Sequence, residues 1–348
     1  MNTILVTGGA GFIGSHFIKL LLNNDKYNIV NLDALTYAGN LRNLSAISEN
    51  QNYVFIKGDI TDHELVYSLF EKYAIDIVVN FAAESHVDRS ILDPMVFLKT
   101  NVMGTQTLLN VANQFWKIDP LDKHNRQYRE GTKFIQVSTD EVYGSLGELG
   151  KFTELTSLSP NSPYSASKAS ADLFVKAYHT TYGLPINITR CSNNYGTNQF
   201  PEKLIPLVIR NCQNNFEIPV YGDGLQIRDW LHVEDHCEAI KLVMTHGISG
   251  EVYNIGGNSE KTNIEIIKFI LSKMGKSEKL IKYINDRPGH DKRYAIDNTK
   301  ITKELMWCPK YQFEDGLLQT INWYCDNQEW IDDIVTGNYE LYYKNMYL

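Results

Sequence analysis

The chain of 348 residues has few cysteines, and nothing in their arrangement links them. Five cysteines are scattered between positions 191 and 325, their number is odd, and no two form a C-x-x-C pair. This spacing excludes a disulfide framework and gives no sign of a cysteine zinc site. A reducing compartment, the cytoplasm, is therefore the expected location.

The chain has fewer basic than acidic residues, 33 against 41, and its net charge is −8. No long basic run is present, so we expect no general nucleic-acid binding, and an anionic ligand must be held by individual groups. No apolar run approaches the length of a membrane span, and the N-terminus enters an apolar run without a basic leader. We therefore expect neither a membrane partner nor a secretion signal.

Short β-branched runs alternate with helical patterns through the first half of the chain, which is typical of an α/β fold with a doubly wound parallel sheet. The predicted strands are Thr3–Val6, Asn28–Leu32, Tyr53–Lys57, Ile77–Asn80, Lys133–Ser138 and Ile186–Arg190. The predicted helices are Ile13–Leu22, Asp62–Lys72, Pro94–Phe115 and Pro163–Tyr182. From Cys191 onward the elements become shorter and more polar, with one late strand near Val252–Gly257. We therefore predict a nucleotide-binding domain over 1–190 and a smaller lobe over 191–348, with segments near 225–257 returning to the first domain.

A glycine loop lies between the first strand and the first helix, with glycines at positions 8, 11 and 14. Glycine permits a tight turn and lets a phosphate approach the N–H groups at a helix N-terminus. Such a loop alone also fits a structural turn. Asp33 ends the second strand, where a carboxylate binds ribose hydroxyls and would repel a 2′-phosphate, so together the two features predict NAD rather than NADP.

Tyr164 and Lys168 form a Y-x-x-x-K pair one turn apart on a predicted helix, after the helix-start residues Ser162 and Pro163. An ammonium group beside a phenol favours the phenolate, as would a nearby positive nicotinamide ring, so we expect the two to lower the pKa of Tyr164. The tyrosine could then remove a hydroxyl proton while hydride leaves. Without the glycine loop, an ordinary amphipathic helix would explain the same spacing.

Two adjacent carboxyl groups, Asp140 and Glu141, follow the fifth strand within Ser138–Gly144. An acid and a base next to a redox pair suggest elimination chemistry. Consecutive strand residues point to opposite faces, so both must lie past the strand end, on a bend, to act together. The competing interpretation is two exposed carboxylates in a turn.

Through the loop Thr7–Gly14 and the Tyr164/Lys168 pair, the chain resembles the extended short-chain dehydrogenase/reductase family over nearly its full length. Within that family it looks like the nucleotide-sugar 4,6-dehydratases. This second resemblance is carried by the motifs Ser138–Gly144, Ala82–Ser90, Cys191–Gly196, Pro201–Pro206 and Asp286–Asp297.

The resemblance implies a Rossmann-type domain, a substrate-binding lobe and a lyase that acts on dTDP-glucose with a tightly bound NAD regenerated in each turnover. It assigns Tyr164 as the base at O4, tuned by Lys168, and Thr139 as a hydrogen-bond partner of the C4 oxygen. Glu141 would be the base at C5, and Asp140 the acid that protonates the C6 hydroxyl.

The resemblance also assigns binding residues and a homodimer that packs through the helices near 94–115 and 163–182. The cofactor residues would be Gly8, Gly11, Phe12, Ile13, Gly14, Asp33, Ala34, Leu35, Thr36, Asp59, Ile60, Phe81, Ala82, Ala83, Ser85, Thr100, Tyr164, Lys168 and Asn194. The substrate residues would be Ser85, Thr139, Asn193, Lys203, Leu204, Pro219, Val220, Tyr221, Arg228, Asn263, Asp286, Arg287, Pro288, Gly289 and His290.

Several of these assignments have competing interpretations. Arg228 could be a surface ion pair with Asp229, and Asp59 could be a helix cap. His232 and His236 have the spacing of helical zinc ligands, but no third ligand is evident, so we expect no metal. The alternative functions are a sugar-nucleotide 4-epimerase or decarboxylase, which has no need of Asp140 and Glu141, and a non-catalytic NAD-binding regulator. The choice between dTDP and UDP, and any lid role of the loop 145–159, stay open.

Overall fold

The computed structural model describes residues 1–23, 26–122 and 124–335. Its strands are β1 (Asn2–Thr7), β2 (Tyr27–Asp33), β3 (Tyr53–Lys57), β4 (Ile77–Asn80), β5 (Lys133–Thr139), β6 (Ile186–Cys191), β7 (Asn193–Tyr195), β8 (Ile218–Tyr221), β9 (Ile227–His232), β10 (Val252–Ile255), β11 (Glu260–Thr262) and β12 (Ile281–Ile284). Its α-helices are α1 (Phe12–Leu22), α2 (His63–Tyr73), α3 (Val87–Leu92), α4 (Pro94–Phe97), α5 (Thr105–Trp116), α6 (Pro163–Tyr182), α7 (Leu204–Asn214), α8 (Val233–His246), α9 (Asn263–Lys273), α10 (Thr299–Leu305), α11 (Phe313–Asp326) and α12 (Gln328–Ile334). Short 3₁₀ helices occupy Leu41–Ile47, Asp140–Tyr143 and Glu278–Leu280, and a π-helical turn occupies Leu98–Gly104.

Seven strands form one parallel sheet in the order β10-β6-β5-β4-β1-β2-β3. This is the predicted doubly wound fold, and each of the six predicted early strands is present. The strand order reverses between β1 and β4, and ligands of such sheets bind in the crevice outside the carboxyl ends of the strands at that point. The fold therefore fixes where the site should lie.

Both faces of the large sheet are buried, which explains the uninterrupted apolar run of β1. Ile4 and Val6 point into a core shared with α1 and α8, whereas Leu5 points into a second core shared with α2, α5 and α6. A third core joins α7, α9 and α11 around the smaller sheets β11-β9-β7 and β12-β8.

The chain crosses between these parts more than once. After β9 in a small sheet, α8 packs against α1, and β10 then pairs with β6 at the edge of the large sheet. Residues 233–255 thus belong structurally with the large sheet, although they follow β7, β8 and β9.

The predicted helix over 94–115 is present as α4, the π-helical turn and α5 in one continuous stretch. None of the described helices combines the length and the apolar character needed to cross a membrane.

Candidate active site

A single cavity follows the carboxyl ends of the strands from the glycine loop to the end of β5 and on to Lys203. Most predicted cofactor residues and all predicted catalytic residues line it. The predicted residues in its wall are Gly8, Gly11, Phe12, Ile13, Gly14, Asp33, Ala34, Thr36, Asp59, Ile60, Phe81, Ala82, Ala83, Ser85, Thr100, Thr139, Asp140, Glu141, Tyr164, Lys168, Asn193, Asn194 and Lys203.

The glycine loop is a tight backbone cradle at the start of α1. Gly8 has a φ of +67°, and a Cβ added there would lie 2.7 Å from the Ala82 nitrogen. A Cβ on Gly14 would lie 2.4 Å from the Gly8 oxygen. Gly11 is the N-cap of α1 and no side chain caps it, so the first N–H groups of the helix fit the diphosphate of a dinucleotide.

Asp33 is held at the end of β2 by two backbone donors. Its carboxylate oxygens accept from the nitrogens of Ala10 at 2.9 Å and of Leu35 at 2.8 Å. Burial raises the pKa of Asp33, and these two hydrogen bonds oppose the rise. The fixed carboxylate fits a ribose diol. Leu35 is not among the described residues that line the cavity, and its contact with Asp33 is through its N–H group.

The pair Asp140–Glu141 lies past the strand end, as the alternation rule requires. β5 ends at Thr139, and the chain turns into a 3₁₀ helix. The Thr139 hydroxyl donates to Asp140 Oδ1 at 3.3 Å and accepts from the Glu141 nitrogen at 3.3 Å. Both carboxyl groups border the same cavity as Tyr164, which excludes the interpretation as exposed turn residues.

The two carboxyl groups differ in their electrostatic surroundings. Burial, followed by repulsion from Glu141 and Asp229, raises the pKa of Asp140 well above its ordinary value. Burial also raises the pKa of Glu141, but the positive charges of Arg287, Arg228 and Lys203 oppose it. The positive charges beside Glu141 therefore distinguish its environment from that of Asp140, as two carboxyl groups with different protonation states would require.

Tyr164 and Lys168 lie on the first turns of α6. A capping box between Ser162 and Ser165, with Pro163 at the start, fixes where the helix begins. The Lys168 Nζ donates to the Val137 backbone oxygen at 2.7 Å.

Lys168 by itself does not bring the pKa of Tyr164 below its ordinary value. Burial, then the negative charge of Glu141, raises the pKa of Tyr164 well above its ordinary value, and a hydrogen bond with the Thr139 side chain opposes the rise. Burial also lowers the pKa of Lys168. Desolvation is thus the largest influence on both groups, and it favours the neutral form of each.

The other predicted substrate residues are not among the described residues that line this cavity. They are Leu204, Pro219, Val220, Tyr221, Arg228, Asn263, Asp286, Arg287, Pro288, Gly289 and His290. Two of them nevertheless act on the cavity through their charge, since Arg228 and Arg287 both favour the ionised form of Glu141.

Arg228 is not a surface ion pair with Asp229. It is buried, its guanidinium lies 4.4 Å from the centre of the Tyr294 ring, and its Nη2 donates to the Asp291 backbone oxygen at 3.0 Å. Asp229 is also buried and accepts from the Ser259 nitrogen at 2.7 Å. The two adjacent residues of β9 therefore serve separate contacts.

Sequence reasoning missed several residues of the cavity wall, among them Tyr37, Phe200, Glu202 and Cys191. The rings of Tyr37 and Phe200 meet edge to face with 5.4 Å between centres. Burial raises the pKa of the Cys191 thiol to about 12, so it stays neutral. Glu202 lies in the motif Pro201–Pro206 and Cys191 in the motif Cys191–Gly196, whereas no sequence pattern predicts that Tyr37 lines the cavity.

The two histidines with zinc-like spacing have other partners. The His232 side chain caps α8 by accepting from the Glu234 nitrogen, and His236 Nδ1 lies 2.8 Å from Asn194 Oδ1. Over the described ranges, no group of three or more His, Cys, Asp or Glu side chains is placed to hold a metal ion. Asp59 caps no helix, since Asp62 is the N-cap of α2.

The loop 145–159 is anchored on the segment 293–297. Phe152 exchanges backbone hydrogen bonds with Ala295 and Asp297, at 2.9 and 2.8 Å, and the Arg293 guanidinium donates to the backbone oxygens of Gly147 and Gly150.

Comparison with known proteins agrees with this geometry. The family model described as GDP-mannose 4,6 dehydratase matches residues 5–320. A dTDP-glucose 4,6-dehydratase of Xanthomonas campestris is 53% identical over 98% of both chains. The crystal structure of a dTDP-glucose 4,6-dehydratase from Bacillus anthracis with NAD is 50% identical, covers 96% of this chain and 100% of its own, and has a TM-score of 0.87. The enzyme of that name from Streptomyces venezuelae, with NAD and TDP bound, is 46% identical, covers 95% of this chain and 99% of its own, and has a TM-score of 0.89.

Proposed function

The chain belongs to the family described as GDP-mannose 4,6 dehydratase, and we propose that within it the protein converts dTDP-glucose to dTDP-4-keto-6-deoxy-glucose with NAD as cofactor. The observation that carries the proposal is the adjacent pair Asp140 and Glu141, an acid beside a base, on the same cavity as Tyr164. The proteins of high identity named as dTDP-glucose 4,6-dehydratases support the substrate.

NAD, when bound, would serve as both the acceptor and the donor of one hydride, so the protein would need no external reductant. The glycine loop would hold its diphosphate at the start of α1. Asp33 would hold its adenosine ribose and disfavour a 2′-phosphate.

Up to the loss of water, the catalytic work of the side chains divides into three proton movements. Tyr164 would take the O4 proton, while Thr139 orients that oxygen and Lys168 holds the tyrosine in place. Burial keeps the Tyr164 pKa high, and the positive charge of an oxidised nicotinamide ring would act against this.

The remaining two proton movements are the elimination. The C4 ketone acidifies the C5 proton, which Glu141 would remove. Asp140 would protonate the C6 hydroxyl so that it leaves as water, and the protonated Glu141 would return a proton to C5 once C6 has taken up the hydride. Burial and two neighbouring negative charges favour the protonated form of Asp140, whereas three positive charges favour the ionised form of Glu141 against the effect of its burial.

The nucleotide part of the substrate would occupy the smaller lobe over 191–348, next to the NAD-binding domain over 1–190. Lys203, Arg228 and Arg287 are the cations available for its diphosphate, as expected for an acidic protein that must bind an anion locally. The Tyr221 ring, with the His290 ring 6.1 Å away centre to centre, would flank the base. The remaining substrate assignments are proposed on the same resemblance.

We also propose a homodimer that packs through the helical stretch 94–116 and α6. Large apolar side chains stand exposed there, including Met95 at 66%, Met103 at 60% and Leu173 at 58%. A patch of this kind marks an association surface, and a second copy of the chain could cover it. The free cysteines support the expected cytoplasmic location.

Mass spectrometry of the product tests the function directly. The purified protein, incubated with dTDP-glucose and no reductant, should give a product one water lighter that carries a 4-keto group. A product of unchanged mass would mean epimerisation, and binding without turnover would mean a regulator. Competition between dTDP-glucose and UDP-glucose in one mixture would measure the nucleotide preference.

A further inference from the structure

Asp88 connects α3, in the cofactor half of the molecule, with two segments of the smaller lobe. Its carboxylate is buried. One oxygen, Oδ2, accepts from the Tyr221 hydroxyl at 3.3 Å, and the other, Oδ1, accepts from Arg287 Nη1 at 3.4 Å. One side chain therefore reaches both the end of β8 and the loop that follows β12.

Neither contact is adjacent in sequence, and Asp88 itself is not among the described residues that line the cofactor cavity. Tyr221 lies 133 positions and Arg287 lies 199 positions further along the chain. The two partners, which like Asp88 do not line that cavity, are residues for which we propose contacts with the nucleotide. An effect of Asp88 on the substrate would therefore run through Tyr221 and Arg287.

Arg287 lies in a cluster of like charges. Its guanidinium is close enough to Lys203, Arg228 and His290 to lower the pKa of each of them. Four cationic or ionisable groups in a partly buried site repel one another unless anions hold them in place. Asp88 provides such an anion from a separate element, and its ion pair with Arg287 is largely shielded from solvent.

We propose that Asp88 is a positioning residue for the nucleotide part of the substrate, because it fixes Arg287 and Tyr221 before the diphosphate and base arrive. The inference rests on the proposed function, since it assigns Arg287 and Tyr221 to the sugar nucleotide. Preorganised partners bind more tightly because less ordering remains to be done on binding.

The test compares the holoenzyme with its Asp88→Asn variant, which keeps the shape of the side chain and removes its charge. We expect the Kd for dTDP, measured by calorimetry, and the KM for dTDP-glucose to rise about tenfold, with kcat within about threefold of the original. The unfolding temperature should fall, because the variant breaks an ion pair that is largely shielded from solvent, but the NAD content of the folded protein should not change. A merely structural residue would lower the NAD content and kcat along with the stability.

A double-mutant cycle with Arg287→Gln tests whether Asp88 affects dTDP binding through Arg287. If Asp88 acts through Arg287, Asp88→Asn should weaken dTDP binding far less in the Arg287→Gln background than in the original protein. Multiplicative effects of the two changes, or an unchanged Kd in Asp88→Asn, would overturn the proposal. Asp62→Asn is the matched control, since Asp62 is an exposed N-cap of α2 that asparagine replaces well.

If Asp88→Asn does not fold, the variant Tyr221→Phe provides a second test of the proposal. It removes only the hydroxyl that donates to Asp88, and should raise the Kd for dTDP about threefold. An unchanged Kd there would also count against the proposal. If the original protein neither binds dTDP nor dehydrates dTDP-glucose, the proposed function fails. If it does both while the variants match it, only the role of Asp88 fails.

Discussion

Lys168 donates a hydrogen bond from its Nζ to the backbone oxygen of Val137, 2.7 Å away, and thereby ties α6 to β5. α6 carries Tyr164, and β5 ends two residues later at Thr139, directly before Asp140 and Glu141. The Lys168 hydrogen bond therefore fixes the position of Tyr164 relative to Asp140 and Glu141, the three residues to which we assign the proposed redox and acid–base roles.

Glu141→Gln should stop the reaction after C4 oxidation, because an amide cannot remove the C5 proton. We expect dehydration to fall by about 10²–10⁴-fold, and exchange of the C5 hydrogen in heavy water to disappear. Mass spectrometry of recovered substrate and product measures both. Asp140→Asn is the comparison, since it should slow water loss more than C4 oxidation and leave C5 exchange in place. Full dehydration in both variants would show that the assigned roles are wrong.

Asp140→Asn should also stabilise the protein increasingly as the pH rises. The pKa of Asp140 is raised well above its ordinary value of 3.8 in the folded protein. Below that ordinary value both folded and unfolded chains carry the proton. Above it the unfolded chain releases the proton first, so the original protein loses stability until the pH passes the folded pKa, by at most about 1.4 kcal/mol per pH unit.

Asparagine has no such proton, so the unfolding temperature of Asp140→Asn relative to the original should climb as the pH rises from the ordinary Asp value of 3.8 toward neutrality. Thermal unfolding across that range measures it. Parallel curves for the two proteins would contradict the raised pKa, and Asp62→Asn should give such parallel curves.

Asp172→Asn should destabilise the fold strongly. Asp172 Oδ2 accepts from Arg190 Nε at 2.9 Å, and both side chains are buried. Removal of the carboxylate leaves a buried guanidinium unbalanced, which costs about 3–5 kcal/mol of unfolding free energy.

The exposed pair Lys261–Glu314, also 2.9 Å apart, is the control, and Glu314→Gln should cost less than about 1 kcal/mol. Denaturant unfolding compares the two variants, and equal losses would contradict the expectation. Arg190 also donates to the Tyr143 hydroxyl at 3.0 Å, so Asp172→Asn should loosen the 3₁₀ turn with Asp140 and lower activity as well.

Gly8→Ala should weaken the binding of NAD. The added methyl group would meet the Ala82 backbone at 2.7 Å, at a φ of +67° that alanine rarely adopts. We expect the NAD content of the purified protein to fall severalfold. Gly147→Ala is the matched change, since nothing lies within 4 Å of its added Cβ, and it should keep its NAD. Normal NAD content in Gly8→Ala would contradict the proposal that the glycine loop holds the diphosphate of NAD.

Local signals predicted the framework well. α6 has the predicted bounds because Ser162 and Pro163 are helix-start residues whose effect is confined to one turn. The six early strands were found because a buried parallel strand needs an apolar run. The bend that carries Asp140 and Glu141 followed from strand alternation alone.

Long-range contacts could not be predicted in this way. The ion pair of Asp88 with Arg287 joins residues 199 positions apart. No local sequence pattern predicts that these two residues come into contact. The high pKa of Tyr164 comes from burial by several elements packed together, which the Y-x-x-x-K spacing does not contain. Sequence patterns thus identify the titratable side chains of the site, whereas the packing around those side chains sets their pKa values.

The pairing of β10 with β6 bears on how the chain reaches its fold during synthesis. The large sheet cannot be completed until Ile255 has left the ribosome, because Val252–Ile255 forms its last strand. For several seconds at ordinary translation rates, β6 is an open edge with unpaired backbone groups. A nascent chain halted between residues 191 and 252 would therefore be the species most exposed to chaperones and to aggregation.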